Sequence, residues 1–456
     1  MAVITVKEII EATGGELLSD SSADFSGISI DSRTISDSEM FFAIRGEKFD
    51  GHDFLDNALS RASGAVVDTR PEKLPEGKMI VCVEDTLKSL QDLAHFIRMR
   101  RNIPVIAITG SNGKTTVKEM IHTVLSSKFR TLKNEGNLNN HIGLPLSLIK
   151  LQPEDEMIVL EMGMNHSGEI RRLCEIAVPS HGVITNVGTA HIGELGSYKA
   201  LRAAKLEILG ELGVAVVNAD DSKLIQGIRE ASFKGQIITF GIENESHVRA
   251  RDVRATENGN DFTLELGNAG STLINLNVHG LFNVYNALAA AAVSFSLGVT
   301  IDEIKRALDG YSAFPMRFEV IKENTVTVIN DSYNANPTSM AESIKELVRM
   351  GAGGRIVAAL GDMNELGDFS EEAHREVGRL LSEAGVDVFV AVGEMMGLAA
   401  EEYKKSGKTF GVFSFRDADE AGKEIMNILK QGDTLLIKGS RAMAMEIMIR
   451  SIRNVI

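Results

Sequence analysis

A glycine-rich turn near residue 110 carries the residue types that bind phosphate. Apolar residues 105–109 predict a buried strand, Gly110 and Gly113 interrupt it, and an amphipathic pattern that begins at Lys114 predicts a helix. In such a turn, backbone N–H groups and the positive helix N-terminus attract phosphate oxygens. Lys114 would add a point charge, and the Thr115 hydroxyl would be a ligand for Mg²⁺. The alternative is an ordinary strand-to-helix turn with a surface lysine.

Two more candidate side chains follow predicted strands. Glu161 ends the apolar run 157–160, and a carboxylate there, beside a phosphate loop, is well placed to hold Mg²⁺. His191 follows the strand that ends at Asn186. Open α/β sheets bind ligands at the carboxyl ends of their strands, which is where both side chains are expected. In the plain alternative, Glu161 is an exposed edge residue and His191 is structural.

Several polar stretches have both a plain and a functional interpretation. Loop 136–145 contains three asparagines beside His141, and Lys205 lies in a predicted helix near Glu207. By itself Lys205 is interpreted as a surface lysine, and Asn283 as an N-cap is an open alternative to a binding role. Polar stretches also follow three later strands, and each alone would be a solvated turn. They are residues 330–337, 361–367 and 438–441.

Taken together, these residues indicate one active site in a cleft between domains. A phosphate loop, with polar loops at the strand ends of two sheets, predicts an enzyme that uses Mg²⁺ and ATP or GTP. A second substrate would be held by the neighbouring domains. The residue pattern by itself leads no further than this reaction class.

The elements that position these side chains form three α/β units. Short strands and a helix predict a small first unit at residues 1–83. Alternating strands and helices predict a mostly parallel sheet of the P-loop type at residues 84–313, with a β-rich insertion at 235–280. A Rossmann-like third unit is predicted at residues 314–456. The fold class is therefore α/β with three domains.

Composition excludes several classes of protein. Hydrophobic content of 44% and charged content of 24% are those of a soluble globular protein. A net charge of −15 argues against nucleic-acid binding, and no apolar run is long enough for a membrane span. The first residues lack the pattern of a signal peptide. Cys82 and Cys174 are far apart and lack metal-binding spacing, which predicts a reducing compartment, the cytoplasm.

The chain resembles the Mur ligases in motifs spread almost from end to end. The phosphate loop of that family is matched by Thr-Gly-Ser-Asn-Gly-Lys-Thr-Thr at residues 109–116, a short form in which Ile108 stands where the usual pattern has its first glycine. Asp-Ser-Tyr-Asn-Ala-Asn-Pro at residues 331–337 resembles the branch that adds D-alanyl-D-alanine. Further matching segments are residues 31–33, 51–52, 136–140, 161–163, 190–191, 204–205, 283–289, 361–367 and 438–441.

The resemblance implies an ATP-dependent ligase of peptidoglycan precursor synthesis. Such an enzyme joins D-alanyl-D-alanine to UDP-N-acetylmuramoyl-tripeptide through an acyl phosphate and releases ADP and phosphate. The first unit would hold the UDP moiety, the central unit ATP, and the third unit the dipeptide. The enzyme would be a cytoplasmic monomer. The third residue of the tripeptide, meso-diaminopimelate or lysine, stays open.

The same resemblance implies roles for individual residues. Lys114, His191 and Lys205 would be catalytic. Thr115 and Glu161 would hold one Mg²⁺, and His191 with a carbamylated Lys205 would hold a second. The residues implied in nucleotide binding are Thr109, Gly110, Ser111, Asn112, Gly113, Lys114, Thr115, Thr116, Asn283, Arg317 and Asp331. Those implied in substrate binding are Ser32, Arg33, Asn137, Asn139, Asn140, Asn334 and Asn336.

Three alternatives differ from this enzyme in substrate or in class. A family member that adds a diamino acid should carry Asp-Asn-Pro-Arg in its third unit, and this tetrapeptide does not occur in the sequence. A folylpolyglutamate-type ligase should lack the first unit. A nucleotide-binding regulator without catalysis is the other alternative, and the presence of Lys114, Glu161 and His191 argues against it.

Overall fold

Three separate sheets organise the chain. The fold is described from a computed structural model for residues 3–19, 24–189, 192–323, 326–405, 407 and 411–454. The strands of the three sheets fall at residues 16–82, 105–276 and 319–438, and helices accompany each sheet. The predicted class, α/β with three domains, is therefore confirmed. The limits of the three units, 1–83, 84–313 and 314–456, stay a prediction.

The first unit is a small, mostly parallel sheet. Its elements are α1 (Val6–Thr13), β1 (Glu16–Ser19), β2 (Gly27–Ser29), β3 (Glu39–Phe42), α2 (Leu55–Leu59), β4 (Gly64–Val67) and β5 (Met79–Cys82), and helix α3 (Thr86–Met99) follows them. The strand order is β1-β5-β4-β3-β2, with only β1 antiparallel. Phe42 and Val66 of the sheet are fully buried in one apolar cluster with Leu90 and Leu93 of α3. This cluster joins the first unit to the central unit through α3.

The central unit is built on nine strands. They are β6 (Val105–Thr109), β7 (Thr131–Lys133), β8 (Met157–Glu161), β9 (His181–Ile184), β10 (Val214–Asn218), β11 (Gln236–Gly241), β12 (Val248–Ala255), β13 (Asn260–Leu266) and β14 (Ser271–Leu276). The helices are α4 (Lys114–Ser126), α5 (Gly143–Leu148), α6 (Glu169–Ala177), α7 (Ile192–Leu195), α8 (Tyr198–Leu206), α9 (Ser222–Glu230), α10 (Leu281–Ser296) and α11 (Ile301–Asp309).

Strand order places a ligand crevice at the end of β6. The order is β14-β13-β12-β11-β10-β9-β6-β8-β7, parallel from β7 to β12 and antiparallel from β12 to β14. After β6 the chain forms β7 and β8 on one side of β6, and it then crosses to form β9 on the other side. The winding direction therefore reverses at β6. Such a switch point opens a crevice at the carboxyl ends of the strands. The turn after Thr109 lies there.

The third unit is a six-stranded sheet with its last strand in the middle. The strands are β15 (Glu319–Glu323), β16 (Val326–Asp331), β17 (Ile356–Gly361), β18 (Val388–Val392), β19 (Val412–Phe415) and β20 (Thr434–Lys438). The helices are α12 (Pro337–Met350), α13 (Ser370–Glu383), α14 (Glu394–Lys404), α15 (Ala418–Ile428) and α16 (Glu446–Asn454). The order is β15-β16-β20-β17-β18-β19, with only β15 antiparallel.

The sequence pattern predicts one helix at residues 197–212 and another at residues 442–452, and both have different bounds in the structure. The helix predicted at residues 197–212 ends at Leu206, and a 3-10 turn at Glu207–Leu209 follows it. The helix predicted at 442–452 begins only at Glu446, because Ala444 adopts a left-handed conformation with φ of 49°. Both corrections place a turn where a continuous helix was expected.

Candidate active site

The turn between β6 and α4 brings its backbone against neighbouring side chains. Gly110 has φ of +148°, and a Cβ there would lie 1.9 Å from Thr185 Oγ1. Gly113 has φ of +81°, and its Cβ would lie 2.5 Å from Asn286 Oδ1. Glycine is the residue that tolerates both the conformation and the approach. The two glycines therefore fix the shape of the loop that carries Lys114.

Lys114 lies over the loop that precedes it. Its Nζ donates to the Gly110 carbonyl at 2.8 Å. Burial lowers the pKa of this ammonium, while the nearby Glu161 carboxylate acts in the opposite direction. The ammonium is thus directed toward the loop rather than toward solvent, so the interpretation as a surface lysine is wrong.

The Glu161 carboxylate accepts hydrogen bonds from two neighbouring side chains, Thr115 and Asn139. Thr115 Oγ1 donates to one Glu161 oxygen at 2.8 Å, and Asn139 Nδ2 donates to the other at 2.8 Å. Glu161 ends β8 and is only 3% exposed, so it is not an exposed edge residue. Hydroxyl and carboxylate oxygens are the ligands that Mg²⁺ prefers, with water and phosphate completing the shell. The group therefore fits Mg²⁺.

The described residues form no carboxylate-rich cage of the kind that binds metals without phosphate. Within the ranges that the structure describes, no group of three or more His, Cys, Asp and Glu side chains could hold a metal ion. His191, predicted as a ligand, lies outside those ranges. A small protein ligand set is what a Mg²⁺–nucleotide site uses.

Lys205 is buried beside the phosphate loop. This residue of α8 is 1% exposed, and its Nζ donates to the Gly110 carbonyl at 3.2 Å. Burial, and after it the charge of Lys114, hold the pKa of this amine well below its usual range. The interpretation as a surface lysine is wrong here too, since α8 packs against a turn 95 residues earlier in the chain.

Residues that lead into the third unit reach the same site. Arg317 Nη2 donates to Thr115 Oγ1 at 3.0 Å, and its guanidinium lies 3.8 Å from the centroid of the Tyr333 ring. Arg317 Nε is buried and has no hydrogen-bond partner among the described residues. At the end of β16, Asp331 accepts from Lys438 Nζ at 2.6 Å. A buried ion pair thus anchors one wall of the site.

Asparagines link the phosphate loop to the third unit. Asn336 caps α12 by accepting from the Ser339 N–H at 3.0 Å, and its Nδ2 donates to Asn112 Oδ1 at 2.7 Å. Thr338 and Thr189 hydroxyls lie 3.1 Å apart across the same boundary. The third unit therefore contacts the loop directly, through the first turn of α12.

Asn283 does not cap α10. The N-cap position belongs to Gly280, and Asn283 is 4% exposed within the helix. Its Nδ2 donates to the His279 carbonyl at 2.7 Å, and its Oδ1 accepts from Asn286 Nδ2 at 2.9 Å. The capping interpretation is therefore wrong, and Asn283 instead bonds to Asn286, whose Oδ1 is the side-chain atom that approaches Gly113.

Most of the predicted residues line one cavity of about 930 Å³ between the central and third units. Those that line it are Ser111, Asn112, Gly113, Lys114, Thr115, Thr116, Asn139, Asn140, Glu161, Asn283, Arg317, Asp331, Asn334 and Asn336. A second cavity of about 380 Å³ adjoins it, sharing Asn334 and Asn336.

Six predicted residues do not line either cavity. They are Ser32, Arg33, Thr109, Gly110, Asn137 and Lys205. Thr109 and Lys205 are buried behind the loop. Ser32 and Arg33 lie in the first unit, between β2 and β3, where the Arg33 guanidinium pairs with Asp31 at 2.7 Å. Asn137 is exposed in the loop before α5.

The structure adds cavity residues that the sequence did not single out. Asp220, after β10, accepts from the backbone N–H groups of Ile242 and Asn244, each at 2.7 Å, and from Tyr285 OH at 2.9 Å. Burial raises the pKa of Asp220, but these hydrogen bonds lower it, and the net shift is downward. Its position after a strand, like that of Glu161, was the available signal.

Three family models match the chain in succession. They are described as Mur ligase family, catalytic domain (residues 24–98), Mur ligase middle domain (108–294) and Mur ligase, glutamate ligase domain (316–441). Among the described residues, no helix has the length and apolar character needed to span a membrane.

Two relatives that match over almost the whole chain carry the same name. UDP-N-acetylmuramoyl-tripeptide–D-alanyl-D-alanine ligase of Bacillus subtilis is 35% identical, with 98% of each chain covered. The enzyme of the same name from Escherichia coli is 34% identical, with 100% of this chain and 99% of that one covered.

Solved structures show the same architecture. MurF from Acinetobacter baumannii has a TM-score of 0.92 at 33% identity, covering 100% of this chain and 99% of that one. MurF ligase from Thermotoga maritima in complex with ADP has a TM-score of 0.82 at 29% identity, covering 94% of this chain and 97% of that one.

Proposed function

Because the chain belongs to the Mur ligase family, alongside the UDP-N-acetylmuramoyl-tripeptide–D-alanyl-D-alanine ligases, we propose that it catalyses their reaction. It would join D-alanyl-D-alanine to the C-terminal carboxylate of UDP-N-acetylmuramoyl-tripeptide and convert ATP to ADP and phosphate. The observation that carries the proposal is the cavity itself. Lys114, Thr115 and Glu161 line one side of it, and Asp331 and Asn336 of the third unit line the other.

Two substrates must meet in this cavity because a carboxylate is a poor electrophile. Transfer of the γ-phosphoryl group to the peptide carboxylate gives an acyl phosphate with a good leaving group. The dipeptide amine then attacks the acyl carbon, and the tetrahedral intermediate expels phosphate. Lys114 offsets negative charge during the transfer. Contact between Asn336 and Asn112 keeps the third unit against the loop, which helps to exclude water from the acyl phosphate.

The metal site would be assembled from few protein ligands. Thr115 and Glu161 are the residues that would hold one Mg²⁺, and His191 with Lys205 would hold a second. Bound Mg²⁺ would neutralise charge on the phosphate oxygens. Lys205 would serve as a carbamate: its buried amine, in the unprotonated form that burial favours, adds to the carbon of CO₂ and loses a proton, which converts a potential cation into an anion. The low pKa of Lys205 supports this step, since the protonated amine cannot react.

Nucleotide contacts would come from three parts of the chain. The loop at residues 109–116 would bind the phosphates through its N–H groups. Asn283 would approach the adenine, and Arg317 and Asp331 would contact the nucleotide from the side of the third unit. The buried Arg317 Nε, without a partner among the described residues, supports a ligand there.

The peptide substrates would occupy opposite sides of the phosphate loop. Ser32 and Arg33 of the first unit would contact the UDP moiety, and Asn137, Asn139 and Asn140 the peptide. D-Alanyl-D-alanine would bind in the second cavity, near Asn334 and Asn336. That cavity is also lined by Glu365 and Arg441, a carboxylate and a guanidinium that complement the two charged ends of a dipeptide.

Arg441→Ala is expected to raise the KM for D-alanyl-D-alanine about ten- to hundredfold, because a hydrogen bond to a charged group contributes about 1.5–3 kcal/mol. The KM for ATP should not change. Steady-state phosphate release at varied dipeptide concentration measures both. Arg416→Ala, an exposed arginine of the same unit, is the matched control. An unchanged dipeptide KM in Arg441→Ala would remove the dipeptide from this cavity.

The test of the whole reaction is phosphate release from ATP with and without each peptide substrate. We expect phosphate release that requires both UDP-N-acetylmuramoyl-tripeptide and D-alanyl-D-alanine. We also propose that the enzyme is a monomer and works in the cytoplasm. Release that requires a single amino acid and another acceptor would keep the ligase chemistry and change the substrates. Absence of turnover with every amine would favour a nucleotide-binding regulator.

A further inference from the structure

Two buried polar side chains beside the metal-binding group have no part in the reaction described above. Lys118 of α4 and Asn134, directly after β7, are both 0% exposed. A buried ammonium and a buried amide are stable only where their hydrogen bonds are satisfied. Their partners therefore indicate what these residues hold in place.

Asn134 binds the backbone of Glu161 on both sides. Its Oδ1 accepts from the Glu161 N–H at 2.9 Å, and its Nδ2 donates to the Glu161 carbonyl at 3.0 Å. Strand β7 pairs with β8 only as far as Lys133. The Asn134 side chain thus takes the place of a further strand residue and extends the ladder to the end of β8.

The same amide also holds the loop that carries Asn139. Asn134 Nδ2 donates to the Leu138 carbonyl at 2.8 Å. Asn139, the next residue, donates to one oxygen of the Glu161 carboxylate. One side chain therefore positions both the backbone of Glu161 and a hydrogen-bond donor to its carboxylate.

Lys118 connects this group to the phosphate-loop helix. Its Nζ donates to the Asn134 carbonyl at 2.8 Å and lies 3.2 Å from a Glu119 oxygen. Lys118 lies one helical turn after Lys114 and Thr115, on the same helix. The ammonium therefore ties the start of α4 to the segment that holds Glu161.

We propose that Asn134 and Lys118 are positioning residues that set the separation between the Thr115 hydroxyl and the Glu161 carboxylate, and so prepare the site for Mg²⁺. The inference rests on the proposed function for the identity of the metal-binding pair. Neither residue lines either of the two cavities. Partners of this kind orient the ligands of a metal, and their loss weakens metal binding about 10- to 100-fold.

The test is ADP binding, measured by calorimetry at varied Mg²⁺ concentration and again in EDTA. Asn134→Ala is expected to raise the Mg²⁺ concentration for half-maximal enhancement of ADP binding about tenfold. Binding in EDTA should change little, because the loop N–H groups remain. Lys118→Met should shift the Mg²⁺ dependence in the same direction. Glu135→Ala, an exposed position in the same loop, is the matched control and should bind as the wild type does.

A purely structural role predicts a different result. It would lower the melting temperature and weaken ADP binding equally with Mg²⁺ and in EDTA, and that outcome overturns the proposal. If Asn134→Ala does not fold, Asn134→Leu fills the same space without polar atoms, and a failure of both to fold also overturns it. ADP binding requires neither peptide substrate, so this test of the positioning role does not depend on the ligase reaction. Wild-type protein that binds ADP in a Mg²⁺-dependent way but does not ligate the peptides would refute the proposed reaction, and the variants would still decide the positioning role.

Discussion

Lys114→Ala is expected to lower ATP-dependent ligation about a thousandfold, the effect of removing a charge-stabilising donor from a transition state. The ammonium lies directly over the phosphate loop, bonded to the Gly110 carbonyl. Alanine removes the charge but leaves the loop N–H groups and both glycines in place. Nucleotide affinity should therefore fall much less than turnover. Phosphate release and ADP calorimetry measure the two quantities separately.

The control for Lys114 is a lysine without a place in the site. Lys150 is exposed after α5, and Lys150→Ala should turn over as the wild type does. Far-ultraviolet circular dichroism of both variants checks that the fold survives. Turnover like that of the wild type in Lys114→Ala would contradict the assignment of the loop to ATP.

Lys205→Met is expected to reduce ligation at least about a hundredfold, as loss of a group that organises a metal site does. Methionine fills the buried space but cannot form a carbamate. Isotope-labelled bicarbonate should give a carbamate signal by nuclear magnetic resonance in the wild type and none in the variant. Wild-type activity in CO₂-free buffer, with no carbamate signal in any buffer, would contradict the carbamylated lysine.

The same substitution should stabilise the fold at neutral pH in CO₂-free buffer. Burial holds the pKa of Lys205 well below the 10.5 of an unfolded lysine, so between these two values the unfolded chain binds a proton that the folded chain does not. Stability of the wild type therefore rises with pH across this window. Lys205→Met lacks this dependence, so its advantage in denaturant unfolding should shrink as the pH approaches 10.5. A variant less stable than the wild type at neutral pH would contradict the neutral amine.

The sequence was sufficient to predict which polar side chains lie together at the ends of neighbouring strands. Lys114 and Thr115 follow β6, and Glu161 ends β8, so parallel pairing brings them to one edge of the sheet. Asp331 and Lys438 end β16 and β20, which are also paired in parallel. In each case a strand and the polar residue after it were enough, because the sheet determines the neighbours.

The rest depends on packing between segments far apart in the chain. The residue pattern by itself predicted Lys205 at the surface, since nothing within α8 reveals that the helix packs on the Gly110 turn, and only the family resemblance implied a place for it in the site. Asn134 directly follows β7, a strand of three partly exposed residues without alternating apolar and polar side chains. The edge strands β1, β7, β15 and β19 were not predicted either. An edge strand has one neighbour, and its sequence is correspondingly less constrained.

The place of β20 has a consequence for how the protein is made. Asp331 and Lys438, which form the buried ion pair, are 107 residues apart, and the strand that ends in Lys438 lies between β16 and β17. A nascent chain therefore exposes two unpaired strand edges until residues 434–438 leave the ribosome. Limited proteolysis of ribosome-bound chains that end before Thr434 should therefore cleave the third unit more readily than it cleaves the third unit of the finished protein. The sheet of the third unit is therefore completed late in synthesis, and a chain interrupted before that point would carry its phosphate loop without the wall that closes over it.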